Sequence, residues 1–470
     1  MAGSRTSWAG ELLIALDRQA GPALHHQLEG ALRDAIRAGR LASESALPSS
    51  RALADQLGLS RGVVVEAYEQ LVAEGYLASR PGGVTRVAST ATPPPQPRAS
   101  LASRPGLRFD FAYGRPDVRE FPRQAWLRCL RRVLNDMPAE RMSYLDGRGT
   151  PEVREALAGY LNRVRGTIAD PGSIVITNGF AQGMGLVARV LRRAGSSRLA
   201  VEDPGQRDVL VTAREAGLEV VPVPVDGMGV DIGALEESGA DVVLVTPAHH
   251  FPTGAVLPAG RRTALERWAS RDNNVVIEDD YDAEYRYDRE PIGSLQGLAP
   301  DRVIYAGSAS KTLAPGLRLG WLLVPDRFVG PLAAAKEASD RGSSSIEQLA
   351  FADFLARGDF DRHLRRMRPI YRARRDALLA ALGTITPDLR PVGVSAGLHV
   401  LAWLPPHVDE DAVVRKAAAE GIALDGLTPY RQASSGPGGL VFGYGAAAET
   451  QIREGVLAIA RIIEATLAAS

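Results

Sequence analysis

Lysine occurs three times in 470 residues, at positions 311, 336 and 416. Lys311 sits in the run Ser308-Ala309-Ser310-Lys311-Thr312-Leu313-Ala314-Pro315-Gly316-Leu317-Arg318. Arginine supplies nearly all the other positive charge, which sets this lysine apart from a generic surface cation. Guanidinium stays protonated at physiological pH, whereas a desolvated lysine can lose its proton and attack an aldehyde. Flanking hydroxyls and an arginine seven positions on are what a bound phosphate seeks. The combination points to a Schiff base with pyridoxal phosphate, against the plainer reading of a solvated lysine in a Ser/Thr loop.

That cofactor needs an acid facing its pyridine nitrogen, donors for its phosphate and a flat partner for its ring. Glu278-Asp279-Asp280-Tyr281 follows a buried strand, so its side chains emerge at the carboxyl end, where open α/β sheets bind ligands. Thr177-Asn178-Gly179-Phe180-Ala181-Gln182 leads from a strand into a helix, so its backbone amides can cradle a phosphate. Acidic loops and glycine turns are common singly. Their order and spacing relative to Lys311 make the set specific.

The elements that must position these residues alternate. Segments 173–177, 198–202, 241–246, 274–278 and 302–305 are β-branched runs, and stretches such as 151–164 and 259–270 have helical periodicity. This predicts an α/β body with a mainly parallel sheet covered on both faces. The tract 89–106, rich in proline and serine, has little to bury and favours extended chain. We therefore expect a domain over 1–90, a proline-rich linker over 91–106 and a body over 107–470.

The front segment predicts three helices and a β-hairpin. Leu24, Leu28, Leu32 and Ile36 recur at helical spacing up to Gly39; Leu53, Ala54 and Leu57 line a short helix ended by Gly58; Ser60 caps a third helix running to Gly75. Strands over 76–80 and 85–88 flank Pro81-Gly82-Gly83-Val84. This is a winged helix-turn-helix, which reads DNA through the first turn of its last helix with cations and hydroxyls near phosphates. The candidate DNA contacts are Arg51, Ser60, Arg61, Arg80 and Thr85. Nine arginines and nine acids leave residues 1–90 neutral, so any contact must come from local clustering.

Composition sets outer limits. A hydrophobic content of 45% is ample for large cores. Lys+Arg and Asp+Glu balance at 55 each, and the single cysteine, Cys129, excludes an internal disulfide framework and fits a reducing cytoplasm. We expect a cytoplasmic protein, with no signal peptide and no run approaching the ~20 apolar residues that cross a bilayer. His25, His26, His249, His250 and His399 show no metal-ligand spacing. No metal site is expected, and His25 and His26 read as surface residues.

The front segment resembles the GntR-type winged helix through Leu47-Pro48-Ser49-Ser50-Arg51, Leu57-Gly58, Ser60-Arg61, Ala67-Tyr68 and Glu74-Gly75-Tyr76-Leu77. It departs from that pattern at Gly62, Val63 and Val84. The whole chain resembles the MocR family of transcriptional regulators, a GntR domain joined to a fold-type I aminotransferase-like domain. The body carries that resemblance through Tyr144–Gly149, Val201–Gly205, Thr246–Gly254, Glu278–Tyr281, Ser308–Arg318 and Gly397–His399. The resemblance implies that Lys311 forms the Schiff base, Asp279 pairs with the pyridine nitrogen and Tyr281 hydrogen-bonds the ring hydroxyl. It implies that Ser308, Ser310, Arg318 and the amides of Gly179, Phe180 and Ala181 hold the phosphate. It also implies a homodimer in which Tyr144 reaches the neighbouring subunit's phosphate.

Two departures qualify this. The family's ring-stacking aromatic is replaced by Gln206, with Phe180 as a candidate substitute. The arginine that clamps a substrate carboxylate in aminotransferases is missing from the strand Gly439–Gly445, with Arg431 only in a nearby loop. The expected function is a DNA-binding regulator responsive to pyridoxal phosphate, without significant turnover and acting on operator repeats. Such regulators commonly control vitamin B6 synthesis. The alternatives are a regulator sensing an amino acid or amine through the bound cofactor, and an active aminotransferase.

Overall fold

The computed structural model describes residues 16–17, 22–79, 83–88, 106–144, 146–287, 292–386, 388–393 and 395–468. The expected linker over 91–106 lies outside them apart from Gly106. The chain forms two compact units, Met1–Arg104 and Pro105–Ser470.

In the first unit, helix Leu24–Arg37 buries Leu28, Leu32, Ala35 and Ile36 along one stripe. Ser49 Oγ accepts from the Ala52 amide at 3.2 Å and starts helix Ser50–Leu57, which Gly58 closes in the left-handed conformation at φ 62°. Ser60 Oγ accepts from the Val63 amide at 3.4 Å and caps Arg61–Ala73. Val64, Tyr68 and Leu71 turn inward from that helix onto Leu32, Leu53 and Val87 of one apolar cluster. The wing is shorter than the expected strands. Leu77–Ala78 pairs antiparallel with Arg86–Val87, and single bonds extend it from the Leu47 amide to the Thr85 carbonyl and from the Ala88 amide to the Tyr76 carbonyl.

The second unit is built on an eight-stranded sheet. Its order is Ile174–Thr177, Gly320–Leu323, Val303–Ser308, Val275–Asp280, Val242–Val245, Arg198–Asp203, Glu219–Asp226 and Gly229–Val230. The run from Val303–Ser308 to Glu219–Asp226 is parallel throughout. Gly320–Leu323 is antiparallel to both of its neighbours, and Gly229–Val230 is antiparallel at the edge. Successive residues face opposite sides: Val175, Leu244 and Ile277 enter one apolar cluster, Ile174 and Ile176 a second, and Val243 and Val276 a third. Both faces are buried, which is why the strands read as continuous apolar runs. The parallel order places the carboxyl ends of these strands, and the turns that follow them, along one rim.

A smaller antiparallel sheet follows the 27-residue helix Asp359–Ile385, in the order Arg390–Val392, His399–Trp403, Gly439–Gly443, Asp425–Gly426. Among the described residues, no helix is long and apolar enough to cross a membrane.

Candidate functional site

The strand Val275–Asp280 sorts its acids by face. Glu278 points away from the rim, accepting from the Leu295 and Gln296 amides at 2.9 and 3.0 Å. Asp280 pairs with the Arg165 guanidinium at 2.6 Å and accepts from the Tyr305 hydroxyl at 2.6 Å. Between them Asp279 faces the other way, 3% exposed, and accepts from the Gln206 side-chain amide at 3.1 Å. Burial pushes the Asp279 carboxyl well above the usual carboxylate range; Asp280 and Asp282 add to this, and Lys311 opposes it.

Lys311 follows the neighbouring strand Val303–Ser308. Its Nζ donates to the Gly114 carbonyl at 2.8 Å and lies 5.0 Å from the centroid of the Tyr113 ring. Burial lowers the amine's pKa, against the charges of Asp282, Asp279 and Asp208. The next carbonyl, of Thr312, lies 2.9 Å from His363 Nε2 and accepts from the Tyr285 hydroxyl at 3.3 Å, which fixes the lysine loop. The other two lysines are occupied elsewhere. Lys336 pairs with Asp340 at 2.7 Å, and Lys416 donates to Thr466 Oγ1 at 2.9 Å.

The phosphate candidates converge on the adjacent turn. Gly179 has φ 87° and begins helix Phe180–Arg193. A Cβ there would lie 3.2 Å from Arg318 Nη2, so glycine is what leaves room for the guanidinium. Arg318, itself at φ 50°, donates to the Asn178 carbonyl. Asp340 accepts from Asn178 Nδ2 at 2.8 Å and Gln182 Nε2 at 2.6 Å, so the Lys336–Asp340 pair braces this turn. Ser308 ends its strand opposite Gly320, and Ser310 lies half-buried beside Lys311. Phe180, considered as a ring cover, packs against the apolar cluster containing Leu186 and Leu322. Its amide remains a donor at the helix start, as does that of exposed Ala181.

Tyr281 is 7% exposed and donates to the His249 carbonyl at 2.9 Å, with its hydroxyl 3.2 Å from His249 Nδ1. That nitrogen lies 3.0 Å from Asp282 Oδ2. His399 completes a buried group whose ligand-type atoms all lie within 4.8 Å of one another. His25, His26 and Glu29 form another such group on the first unit, with His25 half-buried beside Glu66. The expectation that the histidines do not cluster is therefore corrected. His249 and His399 are far apart in sequence and are brought together by the contact between the two sheets, which spacing cannot reveal. The approach of His250 Nε2 to Glu202 at 3.5 Å is not an ion pair near neutral pH. Burial lowers the imidazole to about 3 and raises the carboxyl to about 8, leaving both neutral.

Tyr144 lies apart from these residues as a surface group, 86% exposed. It lines a cavity of about 620 Å³ with Met142, Ser143 and residues 340–346. Arg431 donates to the Gly436 and Pro437 carbonyls at 2.8 and 2.7 Å. Its loop is pinned by Asp203, which accepts from the Gln432, Ala433 and Ser434 amides. On the first unit Arg51, Ser60 and Arg61 are exposed at two helix starts and Thr85 is half-buried in the wing; Arg80 falls outside the described residues.

The second unit thus holds a desolvated amine, a buried carboxylate and a glycine turn opening a helix beside an arginine. These residues fit pyridoxal phosphate: the amine for its aldehyde, the carboxylate for its ring nitrogen, and the turn for its phosphate. Sequence reading missed Gly114, Tyr113, His249 and Asp282 as parts of the site, and Gln206 as a partner of Asp279. Only the two histidine motifs and the replaced aromatic offered any signal.

Comparison with known proteins agrees with this geometry. Residues 24–87 match the gntR family of bacterial regulatory proteins, and residues 111–437 match aminotransferase class I and II. The chain is 33% identical, over 94% of its length and 96% of the relative's, to the pyridoxine biosynthesis transcriptional regulator PdxR of Corynebacterium glutamicum. It is 30% identical, over 94% of both chains, to the probable rhizopine catabolism regulatory protein MocR of Rhizobium meliloti. Among solved structures it is similar to the α-aminoadipate aminotransferase LysN of Thermus thermophilus, complexed with N-(5'-phosphopyridoxyl)-L-leucine. The TM-score is 0.70 at 26% identity, covering 77% of this chain and 93% of LysN.

Proposed function

This chain belongs to the MocR-type transcriptional regulators, in which a GntR-family DNA-binding domain precedes an aminotransferase class I and II domain, and from that premise we propose that pyridoxal phosphate is its effector and vitamin B6 synthesis its regulated process. One observation carries the reading. Lys311, Asp279 and Arg318 converge at the rim of the sheet while Arg431, the arginine nearest the missing clamp, is bonded to carbonyls of its own loop. The site offers an amine, a carboxylate and a phosphate turn to the cofactor, while two nitrogens of Arg431 are turned to carbonyls of its own loop. The name of the C. glutamicum relative supports the choice of pathway.

Bound there, the cofactor would supply an aldehyde and an electron-withdrawing ring. Lys311 would hold it covalently, Asp279 would receive its ring nitrogen, and Tyr281 would orient its ring oxygen. Arg318, Ser308, Ser310 and the amides of Gly179, Phe180 and Ala181 would bind its phosphate. The protein would act as a homodimer, with Tyr144 completing the partner's phosphate site. Covalent attachment would favour one arrangement of the body and so alter how paired winged helices engage operator repeats. Its turnover as a transaminase would be negligible.

The test maps where the purified full-length protein binds on its own genome, with and without pyridoxal phosphate, for wild type and Lys311→Ala. We expect sites upstream of vitamin B6 synthesis genes and a cofactor response that the variant loses. Binding indifferent to the cofactor would overturn the reading. A response that appears only when an amino acid is added would favour the amine-sensing regulator.

A further inference from the structure

Gln206 occupies the position where the family resemblance calls for an aromatic residue to cover the cofactor ring. The structure gives its side chain a different task, a hydrogen bond from Nε2 to Asp279 Oδ2 at 3.1 Å. We propose that Gln206 is a positioning residue whose amide donates to Asp279, favours its charged form and aims it at the cofactor's ring nitrogen, in place of stacking on the ring. The proposal rests on the reading of the site as a pyridoxal phosphate site and deepens it.

Asp279 is buried among other acids. It is 3% exposed, and Asp280 and Asp282 lie near enough to raise its proton affinity. Asp280 is tied on the other face to Arg165 and Tyr305. Asp282 faces His249, and Glu202 accepts from the Thr246 amide and hydroxyl. The charge of Lys311 opposes this, and covalent attachment to an aldehyde would commit its nitrogen elsewhere. A buried carboxylate in acidic company takes up a proton unless donors hold its charged form. A neutral Asp279 cannot pair electrostatically with a protonated ring nitrogen. Gln206 supplies the needed donor from the turn after strand Arg198–Asp203, and its amide carries no charge to compete with the pyridinium.

The two roles predict different pH behaviour. Without the amide donor, Asp279 keeps its proton to higher pH, so cofactor affinity is weakened most on the acid side and approaches wild type as pH rises. Loss of a stacking partner lowers affinity by the same factor at every pH and is repaired by an aromatic ring.

The experiment measures the dissociation constant of pyridoxal phosphate, by its absorbance and fluorescence, across the neutral range for full-length wild type, Gln206→Leu, Gln206→Glu and Gln206→Phe. We expect about tenfold weaker binding on the acid side for the leucine and phenylalanine variants. The loss should shrink at higher pH and be larger for glutamate, which sets a second carboxylate against Asp279. A pH-independent loss in Gln206→Leu repaired by Gln206→Phe would overturn the proposal in favour of ring covering, as would unchanged affinity in all three variants. Absence of binding by wild type would instead sink the cofactor reading itself.

Discussion

The Lys311 ammonium donates to the carbonyl oxygen of Gly114 at 2.8 Å, across 197 residues of sequence. Gly114 has φ 80°, and a Cβ on it would lie 2.5 Å from Nζ. The glycine thus gives the amine both its hydrogen-bond partner and its room. A side chain here would have to displace the very nitrogen that the surroundings desolvate.

Borohydride reduction of the cofactor-loaded protein should fix label on Lys311, and Lys311→Ala should abolish it. Gly114→Ala should fold with a penalty of about 1 kcal/mol for a left-handed alanine and should attach the cofactor more slowly and weakly. Peptide mapping reads both. Label on Lys336 or Lys416 would refute the assignment. So would wild-type attachment by Gly114→Ala refute the role given to the glycine.

Arg51 and Arg61 stand exposed at two helix starts. Alanine at either, if it contacts a phosphate, should weaken DNA binding and lower the salt slope by about one unit. Titration of an operator fragment at several salt concentrations measures this, with Arg80→Ala as a third variant. Unchanged affinity for all three at matched salt would remove the case for this surface.

The full-length protein should sediment as a dimer at micromolar concentration. An 86%-exposed tyrosine in a surface cavity fits a residue completed by a second copy. Tyr144→Ala should leave the protein folded and weaken cofactor binding. A monomer, or wild-type affinity in the variant, would contradict this.

Mixed with a panel of amino acids and keto acids, the loaded protein should show no multiple turnovers. Arg431 is held by two carbonyls of its loop, so an incoming carboxylate loses the bidentate pair that would fix its α-carbon. Repeated turnover with any common amino acid would replace the sensor reading with an enzyme.

Glu202 gives a stability prediction independent of the ligand. Burial raises its pKa from 4.5 to about 8, so the folded protein holds a proton there that the unfolded chain releases. Stability contributed by that proton is present below about pH 4.5 and is lost as pH rises towards 8. Glu202→Gln, which mimics the protonated acid, should flatten this decline and exceed wild type at alkaline pH. Denaturant midpoints across that range decide it, and parallel curves for the two proteins would contradict the assignment.

Much of the architecture was legible without coordinates, because local chemistry determines it. Serines and glycines at helix ends and β-branched runs of strand length revealed the winged helix and five of the eight strands of the large sheet, though not Glu219–Asp226, and the rarity of lysine singled out Lys311 as a candidate. Strand Gly320–Leu323 was not legible as an antiparallel insertion, since pairing direction depends on where its neighbours lie. Nor was the site's inner detail. Gly114 against Lys311, Gln206 against Asp279 and Asp282 against His249 join residues 197, 73 and 33 apart. Such contacts arise only when loops at the ends of different strands are gathered on one rim. Sequence alone determined which residues are candidates for chemistry and on which element each stands. Tertiary structure decided which amine is desolvated, which acid has a donor and which arginine is already occupied, because burial and partnership are properties of the packed chain.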